Sequence, residues 1–206
     1  MAAEEVFSRE GLDASLDSIA RLAGVGNATL YRRFPTREDL IGQIYLKKIE
    51  VQIDWIEEKK DTDDPWQALI DHIGTLLKFQ LQDIGMAQML LRGPDEYESE
   101  EVRTRLEVVS KRAFALVSAL ASGAIAQGKL REDFLPEQIG VMLAAHMSIA
   151  TRPYANRELV SEAFRQMVIN SIAADPAGEA PRSYTPDEIR LALGFRKRPT
   201  ENATSA

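Results

Sequence analysis

Apolar positions along this chain recur three and four residues apart, and nowhere do they alternate with polar ones over the length of a strand. The pattern predicts an all-α protein. Ala3, Val6 and Phe7 share one face of a short first helix over residues 2–9, with Gly11 where a helix stops. That apolar face begins at the second residue, as though an earlier turn preceded it. Ser15 is placed to cap a second helix running to about Leu22, with Leu16, Ile19, Ala20 and Ala23 inward and Gly24 free to take positive φ at its end. A third helix runs from Asn27 to about Phe34, with Leu30 and Phe34 facing the core, and Pro35 ends it. Thr36, with Asp39 three residues on, forms a capping box that opens a long fourth helix carrying Leu40, Ile41, Ile44, Tyr45, Ile49 and Ile53.

Beyond it, Asp64 and Pro65 take the N-cap and first helical position of an amphipathic helix with Trp66, Leu69, Ile70, Ile73, Leu76 and Leu77 inward. A short apolar helix is expected from about Met86 to Leu91, a long one over 100–127, one from Pro136 to about Thr151 and one over 157–173. No Gly, Ser or Pro linker lies near Lys47. An N-terminal unit of residues 1–46 and a larger helical unit of 47–175 are therefore expected to share the continuous fourth helix, which can transmit motion between them. From Pro176 the chain turns Pro-, Gly- and polar-rich. Residues 176–206 read as a largely flexible tail with one candidate helix, Thr185 to Leu193, and a basic Arg196-Lys197-Arg198.

Composition narrows the chemistry. There is no cysteine, which excludes disulfides, thiolate metal sites and cysteine nucleophiles. His72 and His146 are isolated, so neither a metal nor another cofactor is expected. Asp71 and His72 are adjacent and diverge by about 100° around a helix, and Glu98 to Glu101 read as a solvated run. No enzyme is expected. No uninterrupted apolar run approaches the roughly 20 residues needed to cross a bilayer, and no basic leader opens the chain, so a cytoplasmic protein with no membrane partner is expected. The net charge of −7 argues against nucleic acid over the whole surface. One stretch stands against it: between Arg21 and Lys48, the basic residues Arg21, Arg32, Arg33, Arg37, Lys47 and Lys48 outnumber Glu38 and Asp39.

That stretch overlaps the most informative segment, Ser15 to Leu40, where two short helices meet at a tight glycine turn. This is a helix-turn-helix arrangement, whose second helix enters the major groove while the first crosses the backbone. On the third helix Asn27 and Arg32 can read base edges, and Thr29, Tyr31 and Arg33 can donate to phosphates. The segment resembles the TetR family of bacterial repressors in Ile19-Ala20, Ala23-Gly24-Val25, Thr29-Leu30-Tyr31 and Phe34-Pro35-Thr36-Arg37-Glu38-Asp39-Leu40. The resemblance implies phosphate contacts from Ser15, Thr29, Tyr31, Thr36 and Arg37, base reading by Asn27, Ala28 and Arg32, and core roles for Leu30 and Phe34. Gly26 and Asn27 stand where the family usually has serine or lysine, and the family's basic arm and fuller first helix are not seen ahead of Val6.

The remainder resembles the family in pattern. The implied architecture is an N-terminal three-helix helix-turn-helix domain followed by a larger helical ligand-binding and dimerisation domain. The homodimer would form through helices 136–151 and 157–173, and Gly128-Lys129-Leu130-Arg131-Glu132-Asp133 forms a turn familiar from several members. The implied function is a repressor released from double-stranded operator DNA when a small-molecule effector shifts the population to a conformer whose recognition helices no longer match successive major grooves. Candidates for the effector pocket are Trp66, Phe79, Met86, Met89, Phe114, His146 and Met147, with Trp55 nearby in sequence. The alternative is a member that has lost DNA binding and serves as a ligand- or partner-binding protein.

Overall fold

The computed structural model describes residues 2–175 and 185–193. Among the described residues ten α-helices follow in order: α1 Ala2–Glu10, α2 Leu16–Ala23, α3 Asn27–Arg33, α4 Arg37–Lys59, α5 Pro65–Gln82, α6 Ile84–Leu91, α7 Glu100–Ala126, α8 Gln138–Thr151, α9 Arg157–Ile172 and α10 Pro186–Ala192. Among the described residues there is no strand, only one antiparallel bridge between Leu130 and Ala173. That bridge ties the loop after α7 to the end of α9 through Arg131 N–H to Ile172 O and Ala174 N–H to Lys129 O.

Local sequence explains most boundaries. The Ser15 hydroxyl accepts from the Asp17 N–H at the start of α2, and the Thr36 hydroxyl and Asp39 carboxylate exchange hydrogen bonds with each other's backbone N–H at the start of α4. Asp64 caps α5 from just ahead of Pro65. The expected start of α8 at Pro136 is two residues early: Leu135 to Gln138 form a tight turn closed by the Gln138 N–H on the Leu135 carbonyl, and the regular helix begins at Gln138. The candidate tail helix is present as α10, packed on α9. The rest of the expected tail, 176–184 and 194–206 with Arg196-Lys197-Arg198, lies outside the described residues.

α1 packs on α2 and α6, while α4 runs out of this group to lie along α7. α5 is the central element of the larger unit, in contact with α6, α7, α8 and α9. Phe7, Ile41, Tyr45, Leu46, Ile56, Leu69, Ile73, Leu77 and Met86 are among the fully buried large side chains of the described residues, so one continuous apolar core passes from the first helices into the larger unit. By length and composition α7 alone among the described residues could cross a membrane. Its Leu120 and Ala124 are fully buried, and it packs against α4 and α5 as a core helix.

Close approaches at Gly85 and Gly42 leave no room for a side chain. A Cβ on Gly85 would overlap the Tyr45 hydroxyl, and one on Gly42 would lie 2.7 Å from Val102 Cγ2. The first lets the start of α6 close on the Tyr45 side chain and the Phe7 carbonyl of α1.

Candidate nucleic-acid interface and ligand cavity

The turn between α2 and α3 is set by the backbone. Gly24 adopts φ 68°, its N–H bonds the Arg21 carbonyl, and the Val25 N–H reaches back to the Ala20 carbonyl, which is a Schellman closure. A side chain on Gly24 would meet nothing within 4 Å. Glycine is needed there for its conformation, to reverse the chain fast enough to set α3 across α2.

On α3 Leu30 is the one buried residue, and Asn27, Ala28, Thr29, Tyr31, Arg32 and Arg33 are all exposed. A helix that commits a single side chain to its own core keeps the rest of its surface for something else. Arg21, Arg32 and Arg33 form no ion pair among the described residues, and Arg33 stacks 5.7 Å over the Phe34 ring. The guanidinium groups therefore stand unneutralised around α3. Asn27 differs, since its amide donates to Asp17 Oδ1 at 2.7 Å and is held against α2. Phe34 is half-buried and packs against the core, as expected.

At the start of α4 the expected phosphate contacts are partly committed elsewhere. Thr36 Oγ1 accepts from Asp39. The Arg37 Nη1 donates to the Leu12 and Ala14 carbonyls at 2.9 and 2.5 Å, so this side chain braces the loop between α1 and α2. Sequence reading did not reveal that brace because its acceptors are backbone carbonyls.

A polar junction links this region to the larger unit. Asp83 caps α6 by accepting from the Met86 N–H, and it also accepts from the Tyr45 hydroxyl at 2.9 Å and the Lys48 ammonium at 3.0 Å. Lys48 completes the junction with Glu4 of α1 at 2.7 Å. The hydrogen bond from Lys48 holds the Glu4 carboxyl below its ordinary range, and burial first, then the Asp83 charge, pushes the Tyr45 phenol far up, so Tyr45 stays a donor. Three residues on from Gly85 on α6, Gln88 Oε1 accepts from the Leu12 N–H. α6 therefore grips both α4 and the loop that Arg37 braces.

Next to α6 lies a cavity of about 330 Å³ between α4, α5, α6, α7 and the start of α8. Gln52, Ile56, His72, Phe79, Met86 and Phe114 are among its walls. Of the expected pocket residues it gathers Phe79, Met86 and Phe114, and Phe114 is 47% exposed. The others fall elsewhere. Trp66 is core, Met89 is buried against the Tyr97 hydroxyl, Met147 is half-buried on α8, and Trp55 faces an outer cleft with Gly74 and Arg165. His146 is sealed in the seam of α5, α8 and α9. There its Nδ1 faces Gln80 Oε1 at 2.9 Å and its Nε2 meets Ser161 Oγ at 2.8 Å. Gln80 Nε2 donates to the Leu143 carbonyl, which leaves Oε1 as the acceptor and assigns the imidazole proton to Nδ1.

His72 was not among the residues expected at the pocket. It lines the cavity, is 5% exposed, and its Nδ1 is buried without a hydrogen-bond partner. Burial pushes its pKa down to about 4, so the ring is neutral near pH 7. A broader, open cleft of about 710 Å³ adjoins the cavity across the shared walls Gln52, Phe79 and Met86, and is lined by Glu4, Lys47, Lys48 and Asp83. Among the described residues no group of three His, Asp or Glu side chains is placed to hold a metal.

Residues 1–44 match the model of the bacterial regulatory proteins of the tetR family. Among solved structures, a TetR transcriptional regulator of Streptomyces coelicolor is 30% identical over 88% of this chain and 96% of its own, with a TM-score of 0.54. FadR of Bacillus subtilis, solved with stearoyl-CoA, shares the fold at 19% identity over 83% of this chain and 96% of its own (TM-score 0.58). The ketosteroid regulator KstR2 of Mycobacterium tuberculosis shares it at 16% identity over 84% and 91% (TM-score 0.61). No curated protein matches the chain at a significant level. An exposed recognition helix behind a glycine turn, the match at the N-terminus and the near full-length likeness to the Streptomyces regulator lead to one conclusion: the chain belongs to the TetR family of transcriptional regulators.

Proposed function

We propose that this chain is a homodimeric repressor that holds operator DNA through α3 and lets it go when a small molecule fills the cavity between α4 and α8. The observation that carries this reading is the solvent face of α3, where six of seven side chains are exposed and two unpaired arginines project beside Tyr31. In the groove Asn27, Ala28 and Arg32 read base edges. Ser15, Thr29, Tyr31, Arg33 and the N-terminal turn of α4 at Thr36-Arg37 hold phosphates. For Arg37 the phosphate role falls to the backbone N–H groups of that turn and the guanidinium nitrogens not used by the brace. Residues 1–46 act as the DNA-reading unit and 47–175 as the effector and dimer unit, with α4 spanning the division.

An operator with two half-sites calls for a two-fold protein. Support for α8 and α9 as the interface is the apolar surface they present: Val141 is 70% and Met167 65% exposed, beside the small exposed residues Ala144, Ala145 and Ser148. The signal from the cavity passes through α6. Met86 is a cavity wall, and the N–H of the same residue is held by Asp83, which in turn holds Tyr45 and Lys48 of α4. A ligand that displaces Met86 moves the cap of α6 and with it the junction that positions α1 and α4. Among proteins of this fold, one is solved with stearoyl-CoA and another is named for ketosteroids, and an effector of small-molecule size is carried over from them.

The test is anisotropy binding to the DNA flanking the chain's own gene across a salt series. Specific binding is expected to weaken steeply with salt. Arg32→Ala should cost about 10-fold or more in specific affinity, while Arg33→Ala should weaken all DNA alike and lower the salt slope by about 1. Equal affinity for the flanking DNA and for random duplex would overturn the reading.

A further inference from the structure

The cavity's walls say what kind of molecule fits. Among the described residues that line it none carries a charge, and its polar groups are Gln52, His72 and Ser110. An ion entering this space would give up its hydration with no countercharge to replace it. The aromatic and aliphatic remainder, including Ile53, Ile56, Phe79, Phe114 and Val117, offers only dispersion and hydrophobic contact. At about 330 Å³ the space lies near the lower end of small-molecule sites.

His72 supplies the second, independent observation. Buried polar atoms in native proteins nearly always have a partner, and His72 Nδ1 has none. A neutral imidazole presents one N–H donor and one acceptor nitrogen. It can donate to a carbonyl or accept from a hydroxyl, and it offers no charge to a carboxylate. The sealed histidine of the same fold, His146, has both nitrogens occupied by side chains from other helices, so an open valence is not a general feature of this core.

We infer that the cavity receives an uncharged, largely apolar molecule bearing one hydroxyl or carbonyl group, and that His72 is the residue that recognises that group. This rests on the reading of the larger unit as the effector domain. It goes beyond that reading by excluding carboxylates, phosphates and quaternary ammonium ions from the chamber. The adjoining cleft with Lys47 and Lys48 offers charge, but Lys48 is already committed to Glu4 and Asp83. An anionic head group would have to be met there by Lys47.

The experiment uses the full chain, without DNA, and the neutral fluorophore N-phenyl-1-naphthylamine as reporter. Its displacement is titrated with four molecules of matched length: octan-1-ol, 1-chlorooctane, octanoate and octylammonium. Octan-1-ol is expected to compete about 10-fold better than 1-chlorooctane, the worth of one hydrogen bond in a dry site. Octanoate should be weaker than the alcohol by about 100-fold, because it must take up a proton well above its carboxyl pKa to enter. Octylammonium should be weaker in the same way. In His72→Phe the preference for the alcohol over the chloride should vanish while fluorophore binding persists, and His72→Gln should restore part of it.

Octanoate competing as well as the alcohol, and losing that in Lys47→Ala, would overturn the inference and move the head group to the cleft. Preference for the alcohol unchanged in His72→Phe would overturn the role of His72. Absence of both saturable fluorophore binding and any rise in Tm with octan-1-ol would overturn the cavity as an apolar receptor. Since none of these readings involves DNA, a failure in the operator assay sinks the repressor proposal and leaves this one standing on its own result.

Discussion

His146, in the seam of α5, α8 and α9, and His72, at the wall of the cavity, are the same side chain under the same desolvation, yet they live in regions built to opposite rules. Both rings are buried and both are pushed down to about 4 by burial. In the seam, Gln80 and Ser161 arrive from separate helices to close every hydrogen-bonding valence of the ring, and Phe164 packs 5.4 Å from it. At the cavity nothing closes His72 Nδ1. The pKa does not distinguish the two. What separates a histidine that holds a core together from one that waits for a ligand is whether the surrounding helices complete its hydrogen bonds.

The largest expected effect breaks the seam. His146→Leu leaves Gln80 Oε1 and the Ser161 hydroxyl buried without their partner, and the loss of stability in urea denaturation should be about 3 kcal/mol. A loss below about 1 kcal/mol would mean that the network only fills space. The next effect treats the two regions alike. Each folded-state pKa is depressed from 6.5 to about 4, so the folded protein binds fewer protons than the unfolded chain between those values. Stability is therefore complete above pH 6.5 and falls as pH drops toward 4, at a slope on the order of 1 kcal/mol per pH unit per histidine at its steepest. Carboxylates held low by partners, such as Glu4 by Lys48, lose stability with the same sign, starting only near their unfolded value of 4.5 at the bottom of this window. Urea midpoints at pH 7, 6 and 5 check the sign, and a flat profile would show that at least one ring already carries its proton in the fold.

The contrast also marks where the sequence stopped being informative. Caps and stops were legible because their chemistry is local: Thr36 with Asp39, Asp64 before Pro65, and the positive-φ positions Gly11, Gly24 and Gly128 all perform as their types and spacing suggest. The exposed face of α3 was legible for the same reason, since Leu30 and Phe34 are the only large apolar side chains competing for its buried side. The cavity was half legible. Of the pocket candidates Phe79, Met86 and Phe114 line it, whereas His146 lies in the closed seam and His72, which was not a candidate, lines the cavity. Helical phase puts both histidines on buried faces and cannot say whether a glutamine or serine distant in sequence arrives to meet them. Trp66 and Met89 lie in the core away from this cavity, and large apolar side chains at helical spacing look the same in a core as in a cavity wall. The Arg37 brace and the Tyr45-Asp83-Lys48 junction depend on partners far along the chain, and in the second case on Gly85 being small enough to admit the phenol.

The smallest expected effect sharpens the comparison most, because its sign is opposite to that of the seam. His72→Phe removes a buried nitrogen that has no partner and adds apolar volume beside an existing space, so it should leave the fold as stable or raise its stability by up to about 1 kcal/mol, a rise of a few degrees in Tm for a chain of this size. It should also remove one of the two histidines from the acid window, roughly halving the slope between pH 7 and pH 5 while His146 keeps the other half. A clear destabilisation by His72→Phe would show that His72 contributes to the fold as His146 does, and the distinction between a closed seam and an open receptor would fail. A stabilised variant with a shallower acid slope would mean that the wild-type chain keeps an unpaired imidazole at a cost to its own stability, which is what a residue kept for a ligand should do.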